Sequence, residues 1–143
     1  MNAPLYDAAL LRLAVGIPHL GRLEAPDGSA ERRSPVCGSR VTVDVRLGAD
    51  GRLEALGLDA SACALGQASA NLMASHAVGR TAAELTTARD ELAAWLRGER
   101  SDAGAWPGLD LLRRALPHTG RHAAIRLPFE AVADAASAAA ARR

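Results

Sequence analysis

Cys63 stands where a short apolar run gives way to small residues, in Ala60-Ser61-Ala62-Cys63-Ala64-Leu65-Gly66-Gln67-Ala68-Ser69-Ala70. Residues 52–58 are apolar and strand-like, whereas Leu65, Ala68, Leu72 and His76 recur at helical spacing. Cys63 therefore belongs at or just before a helix N-terminus. Unpaired N–H groups and the positive end of the helix dipole stabilise negative charge on a sulfur placed there, which suits it to nucleophilic attack or metal ligation. A small buried hydrophobe under the helix cap is the equally open alternative.

The second of the chain's two cysteines lies in Ser34-Pro35-Val36-Cys37-Gly38-Ser39-Arg40, just before an alternating segment. Glycine after it leaves the backbone free to bend around whatever the sulfur binds. If residues 40–58 form a hairpin, its start and end lie side by side, and both thiols reach the same end of the sheet. A shared site or a disulfide fits that geometry, and a reducing cytoplasm argues against the disulfide. His118 and His122 flank Gly120 and could each serve as a ligand, although an exposed loop histidine is the commoner case; His76 reads as a partly buried helix side chain. There is no glycine-rich phosphate loop, no Cys-x-x-Cys pair and no Ser/His/Asp set in a recognisable context.

The elements that must position these residues follow from periodicity. Residues 6–15 form a short amphipathic helix closed by Gly16, and residues 16–28, with their prolines and glycines, form a surface loop. Val41, Val43, Val45 and Leu47 alternate with polar residues in a half-buried strand over 40–47. Gly48-Ala49-Asp50-Gly51 turns the chain into a partner strand over 52–58, with a bulge or twist near Ala55 and Leu56, where the apolar phase switches. The helix after Cys63 runs to about Val78 and stops at Gly79. Thr81-Ala82-Ala83-Glu84 has the form of a capping box opening a short helical turn, and residues 87–97 form the next helix. A loop over 99–108 and a brief helix over 109–116 follow. Residues 121–127 are a candidate last strand, and Pro128 opens the closing helix over 129–141. The sum is an α+β fold, a small antiparallel sheet of about three strands packed against helices, in a single domain over residues 1–143.

Hydrophobic residues make up 49% and charged residues 23%, as in a soluble globular protein, and the aromatic content of 3% implies a core of small aliphatics. A net charge of +1 excludes a strongly basic nucleic-acid surface. No run is long enough to span a membrane, and residues 1–15 lack the features of a signal peptide, so the expected compartment is the cytoplasm.

At this point the residues resemble the U-type iron-sulfur cluster assembly scaffolds (IscU, SufU and the N-terminal domain of NifU), in their SufU-like branch. Pro35-Val36-Cys37-Gly38-Ser39-Arg40-Val41 is similar to that family's Pro-x-Cys-Gly-Asp-Arg-Ile/Val segment, and Ala62-Cys63-Ala64-Leu65-Gly66-Gln67-Ala68-Ser69-Ala70 to its second cysteine segment. Ile17-Pro18-His19-Leu20-Gly21 sits where the family has an Asn-Pro-Arg-Asn-x-Gly loop, and the stretch between Trp95 and His122 is similar to the insertion of SufU-like members. The resemblance implies ligation of zinc, iron or a transient 2Fe-2S cluster by Cys37 and Cys63. It further implies partnership with a cysteine desulfurase and other iron-sulfur assembly proteins. The family's aspartate is Ser39 here, and its third cysteine falls at Ala124, in Arg121-His122-Ala123-Ala124-Ile125-Arg126-Leu127-Pro128-Phe129. His122, two positions away and on the same side of a strand, is the candidate replacement ligand. Three functions stay open: a non-enzymatic scaffold using both thiolates, a persulfide acceptor using Cys63 or, second, Cys37, and a desulfurase-binding module without a metal site.

Overall fold

The computed structural model describes residues 6–143; residues 1–5, part of the stretch read for a leader, lie outside it. Strands β1 (Gly28–Arg33), β2 (Arg40–Leu47) and β3 (Leu53–Ser61) form an antiparallel sheet in the order β1-β2-β3. Helices α1 (Ala8–Val15), α2 (Ala64–His76), α3 (Ala82–Leu96) and α4 (His122–Ala141) complete the α+β architecture, with 3-10 segments at Leu109–Ala115 and Thr119–Arg121. No helix among the described residues is long and apolar enough to cross a membrane.

The alternation of β2 sets the register. Val41, Val43, Val45 and Leu47 are buried on the helix side of the sheet, where α4 lies across β1 and β2. Slipping the strand by one residue would put Thr42, Asp44 and Arg46 there instead, so the pairing is strongly specified. Val43 pairs with Leu58 and Val45 with Leu56, and the ladder ends at Arg40 opposite Ser61. The expected bulge is present one residue early: Arg46 pairs with Ala55 and Leu47 with Leu53, which leaves Glu54 as the extra residue.

The third strand is not where the sequence placed it. Residues 121–127 are helical, and the sheet is completed by Gly28–Arg33. This segment buries only Gly28 fully, so it carries no apolar alternation to read. It is held by its ladder and by α4, which passes so close that a Cβ on Gly28 would lie 2.2 Å from the Ala135 carbonyl oxygen. Pro128, expected in the first turn of the closing helix, sits inside α4. Proline there removes one backbone hydrogen bond, but the buried Ser69 hydroxyl donates to the Ile125 carbonyl at 2.6 Å and ties that turn to α2. Burial of Ile125, Phe129, Val132 and Ala136 carries the helix through the proline.

Elsewhere the elements fall close to their expected places. Asp7 caps α1 by accepting from Leu10 N at 2.8 Å. Gly79 is left-handed with φ 92°, although α2 already ends at His76. The Thr81/Glu84 capping box is formed, but it opens a continuous helix over 82–96 and not a separate turn.

On the open face of the sheet one carboxylate is fully buried. Asp44 accepts from Arg22 Nε at 2.6 Å and Nη2 at 2.9 Å, from Leu23 N at 3.0 Å and from the Ser29 hydroxyl at 2.6 Å. These bonds strap the segment after α1 across the sheet. Its backbone crosses β3 at Gly57, where a Cβ would lie 2.5 Å from the Gly21 carbonyl oxygen. Burial alone would raise the Asp44 pKa, but the hydrogen bonds from Arg22, Ser29 and Leu23 and the Arg22 charge hold it below the ordinary carboxylate value. A depressed folded-state pKa stabilises the protein above the unfolded value of about 3.9, and that stability is lost as pH falls through the lower folded value. Asp44→Ala is therefore expected to cost about 2–3 kcal/mol at neutral pH by chemical denaturation, because it removes the charged acceptor that ties Arg22, Leu23 and Ser29 to the sheet. The gap to wild type should narrow below pH about 4.

Candidate thiol site

The pairing of β2 with β3 puts the two cysteine-bearing segments together. Cys37 lies in the loop between β1 and β2, closed by Ser34 N donating to Ser39 O and Gly38 N donating to Ser34 O, both at 2.9 Å. Gly38, with φ 72°, makes the turn back into β2. At the other end of the ladder Ser61 and Ala62 lead into Cys63, which is the N-cap residue of α2 with extended backbone, φ −65° and ψ 171°. Its side chain makes no capping hydrogen bond, so the sulfur is not spent on the helix. The corner is stapled instead by Gln67, whose side-chain amide donates to the Ala60 carbonyl at 3.0 Å.

Cys37, Gly38, Ser39, Ser61, Ala62 and Cys63 line one shallow cavity of about 210 Å³. Both cysteines are free thiols; Cys37 is exposed and Cys63 half-buried. The hairpin geometry read from the sequence thus brings both thiols to one open pocket.

The environment of Cys37 favours its thiolate. Its pKa is lowered below the ordinary thiol value first by the Ser34 hydroxyl, then by the Ser39 hydroxyl 3.1 Å from the sulfur and the Ser39 backbone, against a small opposing effect of burial. Ser34 is 3% exposed, and its oxygen has no well-formed hydrogen bond. Loss of the thiol proton gives that stranded hydroxyl a full acceptor, which accounts for its leading place among the causes. In the sequence Ser34 shows only the turn-forming Ser34-Pro35 pair, which does not report burial.

His122 does not join the pair. It is the first residue of α4, and its buried ring donates from Nε2 toward the Ala115 and Leu116 carbonyls, each at 3.0 Å. In a strand His122 would lie on the same side as position 124, but the segment is a helix. Ala124 is 1% exposed against the first turn of α2, where a Cβ on Gly66 would lie 2.7 Å from that of Ala62 and 3.4 Å from that of Ala124. His118 is exposed, and His76 packs at the edge of Trp106. No group of three or more His, Cys, Asp or Glu side chains among the described residues could hold a metal ion. The chain offers two soft donors and two hydroxyls, which suits two-point attachment of a thiophilic cation and not a closed tetrahedral site.

A three-stranded antiparallel sheet backed by helices, with paired thiols at the corner where strand becomes helix, defines a thiol-presenting α+β domain. No family model matches the chain, and no curated protein is similar to it. Among solved structures it is similar to the N-terminal part of a nitrogen-fixing NifU-like protein from Brucella abortus, at 33% identity and a TM-score of 0.89, covering 97% of this chain and 96% of that one. A putative iron-sulfur cluster assembly scaffold protein for the SUF system from Fervidobacterium islandicum AW-1 shares the fold at 18% identity and a TM-score of 0.84, covering 92% and 96%. The chain belongs to the U-type iron-sulfur cluster assembly scaffold family.

Exposure and the lowered pKa together set a reactivity order. Iodoacetamide should modify Cys37 before Cys63, and the pH-rate midpoint for Cys37 should lie below the value of about 8.5 for a free cysteine. Peptide mass mapping over a pH series checks both.

Proposed function

We propose that the protein carries iron, zinc or a nascent 2Fe-2S cluster during iron-sulfur cluster assembly. Cys37 and Cys63 are its two thiolate arms, and the remaining ligands come from water, a small thiol or a cysteine of a partner protein. The observation that carries this reading is the shared open pocket of the two thiols in a chain of this family. A cargo held by two arms keeps coordination positions free for the protein that delivers or receives it. Ser39 and Ala124, which stand where the family resemblance implies an aspartate and a third cysteine, leave those positions without protein donors. A cysteine desulfurase is the expected sulfur source.

Anaerobic reconstitution with iron and sulfide, or titration with zinc, tests the proposal. Wild type should develop thiolate-to-iron absorption, and Cys37→Ser or Cys63→Ser should each weaken retention by more than about tenfold, since even the supporting partners of metal ligands are worth about 10–100-fold. Absence of bound metal or cluster under every condition would overturn it.

The exposure of Cys37 also supports a second reading, sulfur acceptance. Its thiolate would attack the outer sulfur of a desulfurase persulfide, forming the new S–S bond as the desulfurase cysteine leaves as a thiolate; no other oxidant is needed. Cys63, named first from the sequence, is the less accessible acceptor. Mass spectrometry after incubation with desulfurase and cysteine should find one extra sulfur on Cys37, and its absence from both cysteines would remove this reading.

A further inference from the structure

We infer that Ser34 and Ser39 are positioning residues for Cys37, a pair of hydroxyl donors that hold its sulfur from opposite ends of one closed loop and make the two arms of the site chemically unequal. The inference rests on the carrier reading above and deepens it. Ser34 N donates to Ser39 O and Gly38 N to Ser34 O, so the loop is closed on both sides of Cys37. Each serine is 3% exposed in a segment whose other members are exposed. The Cys37 thiol donates to Ser39 Oγ at 3.1 Å, and once the thiol proton is lost the same hydroxyl rotates to donate to the sulfur. Ser34 Oγ is buried with no formed partner of its own. A buried hydroxyl without a formed bond calls for an acceptor to meet it. A thiolate, free or bound to a cation, is such an acceptor. The other arm meets no hydroxyl: Cys63 stands at the head of α2 and its side chain makes no capping hydrogen bond.

Hydrogen bonds to a ligating sulfur draw electron density away from the metal and tune what it binds. Cys37 is then the arm tuned by hydroxyls and Cys63 the arm set at the head of a helix. The position that could carry a coordinating carboxylate carries a donor to the neighbouring sulfur instead, so this chain tunes a ligand where an aspartate would add one.

Cobalt(II) is the probe, because its thiolate charge-transfer band reports donor strength directly. In Ser34→Ala/Ser39→Ala the sulfur loses both donors and its lone pairs rise in energy, so the band should move to longer wavelength; Ser39→Thr, which keeps a hydroxyl, should restore part of the wild-type position. With cobalt absent, the rate of Cys37 alkylation relative to Cys63 at one fixed pH should fall several-fold in the double variant. Circular dichroism establishes that each variant is folded, and Ser39→Ala alone serves if the double variant is not. A band that stays in place together with an unchanged alkylation ratio in a folded variant overturns the inference. If wild type shows no charge-transfer band, the carrier reading fails separately, and the alkylation ratio still decides whether the hydroxyls hold the sulfur.

Discussion

The antiparallel ladder between β2 and β3 is the constraint on which the rest depends. Its final pair, Arg40 with Ser61, is what makes residues far apart in the chain into neighbours, with Cys37 before one strand and Cys63 after the other. The ladder is held in register by valines that cannot be exchanged for Thr42, Asp44 and Arg46 without burying polar side chains against α4. The Asp44 carboxylate, fully buried on the opposite face, adds a specific lock through Arg22, Leu23 and Ser29. A site built on two strand ends inherits the stiffness of the sheet, whereas the same thiols on separate loops would have to be ordered by their cargo.

The helical half of the corner depends on small side chains. Gly66 lets α4 come against α2, and Ala62 and Ala124 fill the space that a larger residue would force open. Ser69 then joins the two helices at Ile125. His122, at the start of α4, holds the end of the 3-10 segment at Leu109–Ala115 through the Ala115 and Leu116 carbonyls. Its imidazole works as a strut in a buried junction. This is a common use of histidine where a helix must satisfy the unpaired carbonyls of a preceding turn.

Legibility followed the physics of each element. The β2 strand shows in the sequence because burial on one face writes itself as alternation, and the capping box because both its bonds are local. Gly28-Ser29-Ala30-Glu31-Arg32-Arg33 gives no such sign, since its place is fixed by backbone pairing and by a glycine that admits a crossing helix. Residues 121–127 read as a strand if Pro128 opens the helix, whereas the helical recurrence of Ala124, Ile125, Phe129 and Val132 runs through the proline. The thiol pair was readable because a hairpin predicts its own ends. Ser34 was not, because burial of a loop hydroxyl is decided by tertiary packing, and His122 was misplaced along with the strand assigned to it.

A hydroxyl at Ser39, where the family resemblance implies a carboxylate, changes the electrostatics of the corner more than the ligand count suggests. A carboxylate beside Cys37 would place two negative groups together, which is tolerable only when a cation sits between them. A hydroxyl donor removes that requirement, because it stabilises the negative sulfur whether or not a cation is present. The loop is closed by Ser34 N donating to Ser39 O and Gly38 N donating to Ser34 O, and that closure is compatible with a charged Cys37. Order in the Ser34-to-Ser39 loop comes from its backbone bonds, which leaves the Cys37 sulfur exposed.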